Sequence, residues 1–215
     1  GQRLFEQEAM MLARLDHPML PAVADYLVSE STPYGYLVME YIEGITLMDL
    51  FEQQRPFPWE VAVQAAIQVC EVFDYLHRIQ PEPVIYRDLK PSNVMIDRQN
   101  RIRLIDFGIA RSYKQDAETD TVLLGTPGFV APEIMAGHQS DARSDLYSLG
   151  AMLYFLLSGG DYVDPYRPGE RMPLSGIPAP LRDIIDKLVK ANPMERFPSA
   201  AEVRSRLLEM VDKPV

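Results

Sequence analysis

The sequence predicts an α+β protein in which a small α/β cap precedes a mostly helical body. Apolar residues near the N-terminus recur at helical spacing and are followed by two short strand-like runs. A long apolar helix then begins at Pro58, and three further helical stretches occupy the C-terminal third. Between them, two short strands flank and follow a polar loop.

In order, Leu4, Phe5, Met11, Leu12 and Leu15 mark the first helix, and "DHP" at 16–18 stops it. Strands are predicted at about Ala22–Val28 and Tyr36–Glu40, joined by the turn-rich "SESTPYG". Thr46 and Asp49 have the spacing of a capping box for a short helix. The helix from Pro58 to about His77 is apolar nearly all round, which predicts burial on most sides. Short strands follow at Val94–Ile96 and Arg103–Ile105, and then a stretch without clear period from "DFG" at 106–108 to "APE" at 131–133. Helices are predicted over about Asp145–Leu157, Pro180–Ala191 and Ala200–Val211, the last with Ser199 and Glu202 as a second capping box.

The 215 residues suit one domain or a large part of one. A net charge of −10 argues against nonspecific attraction to nucleic acid or anionic lipid. The single cysteine, Cys70, excludes an internal disulfide framework and fits a reducing, cytoplasmic compartment. No apolar run reaches the ~18 residues of a membrane span, and no signal-peptide pattern is present. His17, His77 and His138 lack metal-ligand spacing and read as turn or surface residues.

The chemistry concentrates in "VIYRDLKPSNVMID", residues 84–97. Asp88 can accept a proton, Lys90 can offset anionic charge, and Asn93 offers a hard oxygen; Asp106, after a second strand, offers another. That is the inventory phosphoryl transfer from a nucleotide requires. Taken alone, such a loop is more often a solvated turn. What distinguishes it is the order of the segments downstream.

With those segments the chain resembles the eukaryotic-type (Hanks-type) serine/threonine protein kinases, especially their bacterial members. "YRDLKPSN" resembles the catalytic loop, "DFG" the metal-binding loop and "GTPGFVAPE" the end of the activation segment; "SDLYSLG" and "NPMERFPSAAEV" resemble later helices. The resemblance implies a protein-kinase-like fold, ATP and Mg²⁺ as cofactors, and protein substrates bearing Ser or Thr hydroxyls. It assigns Asp88 as catalytic base, Lys90 as γ-phosphate contact, and Asn93 and Asp106 as Mg²⁺ ligands. Thr126 is expected to touch Asp88 and Lys90. Met39 is expected behind the adenine, backbone groups of Glu40 and Ile42 at its edge, and Met95 beneath it; core packing is the plain alternative for the two methionines. Glu133 and Arg196 are expected to form a buried ion pair, although Arg196 by itself reads as a surface residue. Asp145 is expected to bond the catalytic-loop backbone, and Tyr86 stands where most members carry His. Arg87 is expected to pair with a phosphate on the activation segment, with Thr119 and Thr121 as the acceptors.

The sequence departs from the family pattern at its start. The glycine-rich loop and third-strand lysine belong before the first helix, which here begins almost at residue 1. Glu8 stands at the position of the family's ion-pairing glutamate, without that lysine. The expectation is an N-terminally truncated kinase domain with little activity alone: an incomplete small lobe and hinge over residues 1–43, with one helix and a two-strand hairpin exposing an apolar face, and a large lobe over 44–215. The alternative readings are a non-catalytic kinase-like binding module, which Asp88, Asn93 and Asp106 disfavour, and a small-molecule phosphotransferase, which Lys90, Thr126 and "APE" disfavour.

Overall fold

The computed structural model describes residue 6 and residues 9–28, 35–81, 83–106, 126–164, 166–167 and 174–211. Residues 9–12 are helical, where the sequence predicts the first helix. Strands β1 (Val23–Val28) and β2 (Gly35–Met39) form an antiparallel hairpin with an irregularity between Val23 and Asp25. One hairpin face, with Val23, Tyr26, Val28 and Leu37, packs on Leu12 and Leu15 of the N-terminal segment. The other carries Leu27 and Tyr36, directly paired across the strands, and Val38, all exposed. This is the apolar face the sequence led us to expect.

A second sheet has the order β3–β4–β5: β3 (Gly44–Thr46), β4 (Val94–Asp97) and β5 (Ile102–Leu104), all antiparallel. Strand β3 escaped the sequence reading because three residues are too few to display alternation. It leads into α1 (Leu47–Gln53), whose start is the capping box anticipated at Thr46 and Asp49, with Thr46 Oγ1 accepting from Asp49 N at 3.0 Å.

Helix α2 (Trp59–His77) follows Pro58, which needs no N–H at a helix start. Its interior positions Ala62, Val63, Ala66, Val69, Val72, Phe73 and Leu76 are fully buried, as its all-round apolarity demands. Cys70 lies among them, and burial pushes its thiol far above the ordinary range, which leaves it an inert core group. After the one-turn α3 (Pro132–Met135), helix α4 (Ala142–Ser158) passes through the centre of the core and is buried continuously from Ser144 to Leu156. It starts three residues earlier than the sequence reading because Asp141 caps it, accepting from Arg143 N at 2.7 Å. Gly159 ends it in the left-handed conformation at φ 89°.

Helix α5 (Ala179–Leu188) packs on α4 at Gly150, where a Cβ would stand 2.5 Å from Leu188 Cβ. It stops short of the predicted Ala191, and the carbonyls of Lys190 and Ala191 beyond it accept from Arg196. Helix α6 (Ala200–Val211) packs on α2 and α5, and Ser199 Oγ accepts from Glu202 N at 3.3 Å at its start. No helix among the described residues is long and apolar enough to cross a membrane.

Candidate active site

The loop between α2 and β4 has little regular structure, so its backbone polar groups need other partners. Asp145, in the first turn of α4 and fully buried, supplies them: its Oδ2 accepts from Tyr86 N at 2.9 Å and its Oδ1 from Arg87 N at 2.8 Å. The helix N-terminus favours the carboxylate there. His77, the last residue of α2, adds a third contact, with Nε2 2.8 Å from Asp145 Oδ2 and its ring stacked on Phe73. The reading of His77 as a turn or surface residue is therefore corrected: its side chain is 9% exposed and bonded to Asp145. His17 does sit in a turn, with Nδ1 accepting from Met19 N, and His138 is exposed.

The next residues close a polar ring. Lys90 Nζ donates to Asp88 Oδ2 at 2.9 Å and to Thr126 Oγ1 at 2.8 Å, while Thr126 Oγ1 donates to Asp88 Oδ1 at 2.9 Å. Asn93, in the short 3₁₀ turn Pro91–Asn93, donates through Nδ2 to Asp88 O at 2.9 Å and to Asp88 Oδ2 at 3.1 Å. Asp88 is buried, yet each of its oxygens is held by protein donors, which is the condition for keeping a carboxylate there.

Two bonds carry this arrangement to Asp106. Ile105 N donates to Asn93 O at 2.9 Å, and Tyr86 Oη donates to Ile105 O at 2.5 Å. Tyr86 is fully buried; burial first, then the carboxylates of Asp106, Asp88 and Asp145, push its phenol well up, so it remains a donor. Arg87 and Asp106 both have positive φ, 71° and 66°. For residues with a Cβ this conformation costs about 1–2 kcal/mol each and persists where surroundings over-determine it.

Met39 ends β2, Glu40 N donates to Ala22 O at 2.8 Å, and Ile42 is buried. Met95 sits on β4 between Thr46 and Arg103 in register. Arg87 Nε donates to Ser140 Oγ at 3.0 Å. Away from this cluster, Arg196 grips Glu133 with two parallel bonds of 2.7 Å, and Ser144 Oγ donates to Glu133 Oε1 at 3.0 Å. Burial, the largest single influence, would raise the Glu133 carboxyl; the hydrogen bonds and charge of Arg196, with a backbone hydrogen bond and that of Ser144, together hold the group below its ordinary value. Glu8, Thr119 and Thr121 lie outside the described residues.

Thus Asp88, Lys90, Asn93 and Thr126 meet directly, Asp106 is tied to them through Ile105, and Glu133 and Arg196 form a separate structural pair. The residues the sequence reading missed are His77, Ser140, Ser144 and Arg103. Ser144 opens the quoted "SDLYSLG" without itself being singled out, the other three carry no motif, and only the fold brings His77 within 2.8 Å of Asp145 across 68 positions.

Comparison with known proteins bears on the family and the fold. The family model of the protein kinase domain matches residues 2–207. The chain is 35% identical over 225 residues to the serine/threonine-protein kinase PknB of Mycobacterium leprae, covering 96% of this chain and 35% of that protein. To PknB of Mycolicibacterium smegmatis it is 33% identical over 226 residues, again covering 96% of this chain and 35% of the relative. The chain thus spans about a third of the length of these curated relatives. The crystal structure of the Mycobacterium tuberculosis PknI kinase domain superposes with a TM-score of 0.74 at 25% identity, over 97% of this chain and 78% of that one.

Proposed function

The chain belongs to the protein kinase family, and from that premise we propose that it transfers the γ-phosphate of ATP to serine and threonine hydroxyls of proteins. The observation that carries this reading is the closed ring of Asp88, Lys90 and Thr126 with Asn93 pinned beneath it. Asp88 accepts the proton of the incoming hydroxyl. Its oxygens are held by Lys90, Thr126 and Asn93, so the carboxylate cannot rotate. Lys90 offsets the charge of the moving phosphoryl group, and Thr126 joins the substrate-side segment to the base.

Mg²⁺–ATP, when bound, supplies the transferable group and neutralises its charge. The donor set fits. Asn93 spends Nδ2 on Asp88, which leaves Oδ1 as its ligand atom, and Asp106 brings a carboxylate. Among the described residues no group of three or more His, Cys, Asp or Glu is placed to hold a metal. That suits a Mg²⁺ ion which takes one or two protein oxygens and completes its shell with phosphates and water. Glu40 N is engaged by Ala22, so its carbonyl, with backbone of Ile42, is the group left for the adenine edge, Met39 and Met95 packing against the ring. The same reading divides the chain at residues 43 and 44 into small-lobe and large-lobe parts and assigns it to the cytoplasm, with proteins rather than nucleic acid as substrates.

The test fuses the chain to the upstream strands of a solved protein kinase domain, glycine-rich loop and lysine included, and measures labelled phosphate transfer from ATP to a Ser/Thr-containing protein. We expect robust transfer in the fusion, negligible transfer in the 215 residues alone, and loss in Asp88→Asn and Asp106→Asn fusions. Undiminished transfer in either variant overturns the assignment.

A further inference from the structure

Arg103 lies on β5, three residues before Asp106, and is buried at 8% exposure. Its Nη2 donates to the Glu40 carboxylate and to Leu20 O at 3.3 Å. The same Glu40 oxygen, Oε2, accepts from Ala22 N at 3.3 Å, and Glu40 N donates to Ala22 O at 2.8 Å. One residue along, Leu104 N donates to Met19 O at 2.9 Å. Residues 19–22 leading into the hairpin, Glu40 leaving it, and β5 are therefore joined at one point.

The junction is not the cheapest way to fill this space. A buried guanidinium carries a large desolvation cost, and Arg103 Nε is buried without a hydrogen-bond partner. An apolar side chain of similar volume avoids that cost, so stability alone does not account for an arginine here. What the arginine adds is direction. It fixes the carboxylate of Glu40, and Ala22 takes the Glu40 N–H, so the residue cannot turn about its backbone. The Arg103 hydrogen bond, against burial, also holds the Glu40 carboxyl below its ordinary value.

We propose that Arg103 is a positioning residue for the nucleotide base: through Glu40 it locks the segment after β2 so that the adenine-binding backbone is preformed. This rests on the ATP reading above. A preformed edge binds without paying the ordering cost that a loose one does. Because Arg103 stands on the strand that leads to Asp106, it also ties the base-binding edge to the metal-binding side.

The test uses adenosine, which lacks phosphates and so reads the base edge alone, titrated into the 215-residue chain and followed by nuclear magnetic resonance. Arg103→Met and Glu40→Ala are each expected to weaken adenosine by about tenfold, the order of one charge-assisted hydrogen bond. The double variant is expected to be no weaker than either single, since both remove the same contact. Exchange of the Tyr86 and Arg87 amides, held by Asp145 on the far side of the loop, should stay as in the parent. Affinity within about twofold of the parent in both singles, or additive losses in the double, overturns the proposal. A parent chain that does not bind adenosine overturns this proposal, whereas the ATP reading stands or falls separately on phosphate transfer in the fusion. Should Arg103→Met not fold, Glu40→Gln keeps the shape and removes only the charge. A loss of about threefold then supports the proposal and no loss overturns it.

Discussion

Replacing Arg196 by Ala is expected to unfold the helical body more readily than any substitution of its partner. Arg196 has a fully buried side chain and makes five bonds: two of 2.7 Å to Glu133, and one each to the carbonyls of Lys190 at 2.8 Å, Arg143 at 3.0 Å and Ala191 at 3.1 Å. Its guanidinium also lies 4.9 Å from the Tyr147 ring centroid. Removing it strands the Glu133 carboxylate, 12% exposed, with Ser144 as its remaining side-chain donor. Breaking a buried pair in this way costs about 3–5 kcal/mol. Glu133→Ala should cost less, because Arg196 keeps its three carbonyls. The pair also sets a pH dependence. The folded carboxyl of Glu133 is lowered, so its contribution is present above the unfolded carboxylate range and is lost as pH falls through the lower folded value. The parent and Arg196→Ala should therefore converge in stability on acidification below about pH 4. Urea denaturation at neutral and acid pH, comparing midpoints and slopes, measures this. A neutral-pH loss below about 1 kcal/mol would mean that the pair behaves as a solvated surface bridge, and would refute the reasoning.

Activity in the fusion is expected to rise with phosphate on Thr119 or Thr121, since Arg87, which bonds Ser140 in this structure, offers a guanidinium to a phosphate. Mass spectrometry of active protein with neither threonine modified counts against this. His77→Phe keeps the stacking on Phe73 but removes the contact to Asp145; amide exchange at Tyr86 and Arg87 should speed up by about three- to tenfold, the value of one modest hydrogen bond. Unchanged exchange would mean that Asp145 holds the loop without help from His77.

Much of this was legible because it depends on local pattern or on residues near in sequence. Thr46 and Asp49 announced their helix by spacing, and the apolar run of α2 announced its own burial. Asp88, Lys90 and Asn93 share one loop, so their convergence follows from a few residues of backbone. The pairings of Glu133 with Arg196 and of Asp145 with the loop were reached through family resemblance alone; nothing local distinguishes Arg196 from a surface arginine. His77 and Arg103 were illegible for the same reason. Each is polar beside apolar neighbours, and its partner lies 68 or 63 positions away. A periodicity argument reports which face is buried and is silent about a buried polar side chain whose acceptor arrives from another element.

The polar framework, rather than the apolar core, sets the precision of this site. Residues 86–88 form neither helix nor strand, and Arg87 and Asp106, both bound into the polar cluster, have positive φ. Hydrophobic burial has no direction and cannot choose that conformation. The choice comes from directed bonds: Asp145 takes two consecutive amides, and Asn93 and Tyr86 take the amide and the carbonyl of Ile105. The core's part is to make those bonds worth their cost. Leu76, Leu89, Leu146, Leu149 and Leu104 around them are essentially inaccessible, and in such surroundings an unpaired amide or carboxylate loses about 1–3 kcal/mol or more. Any alternative loop conformation forfeits several such bonds at once, which exceeds the strain stored at Arg87 and Asp106. The loop is thus held in one geometry by its own bonds, and under the proposed function a base that does not have to be organised at the moment of reaction is what phosphoryl transfer by positioning requires.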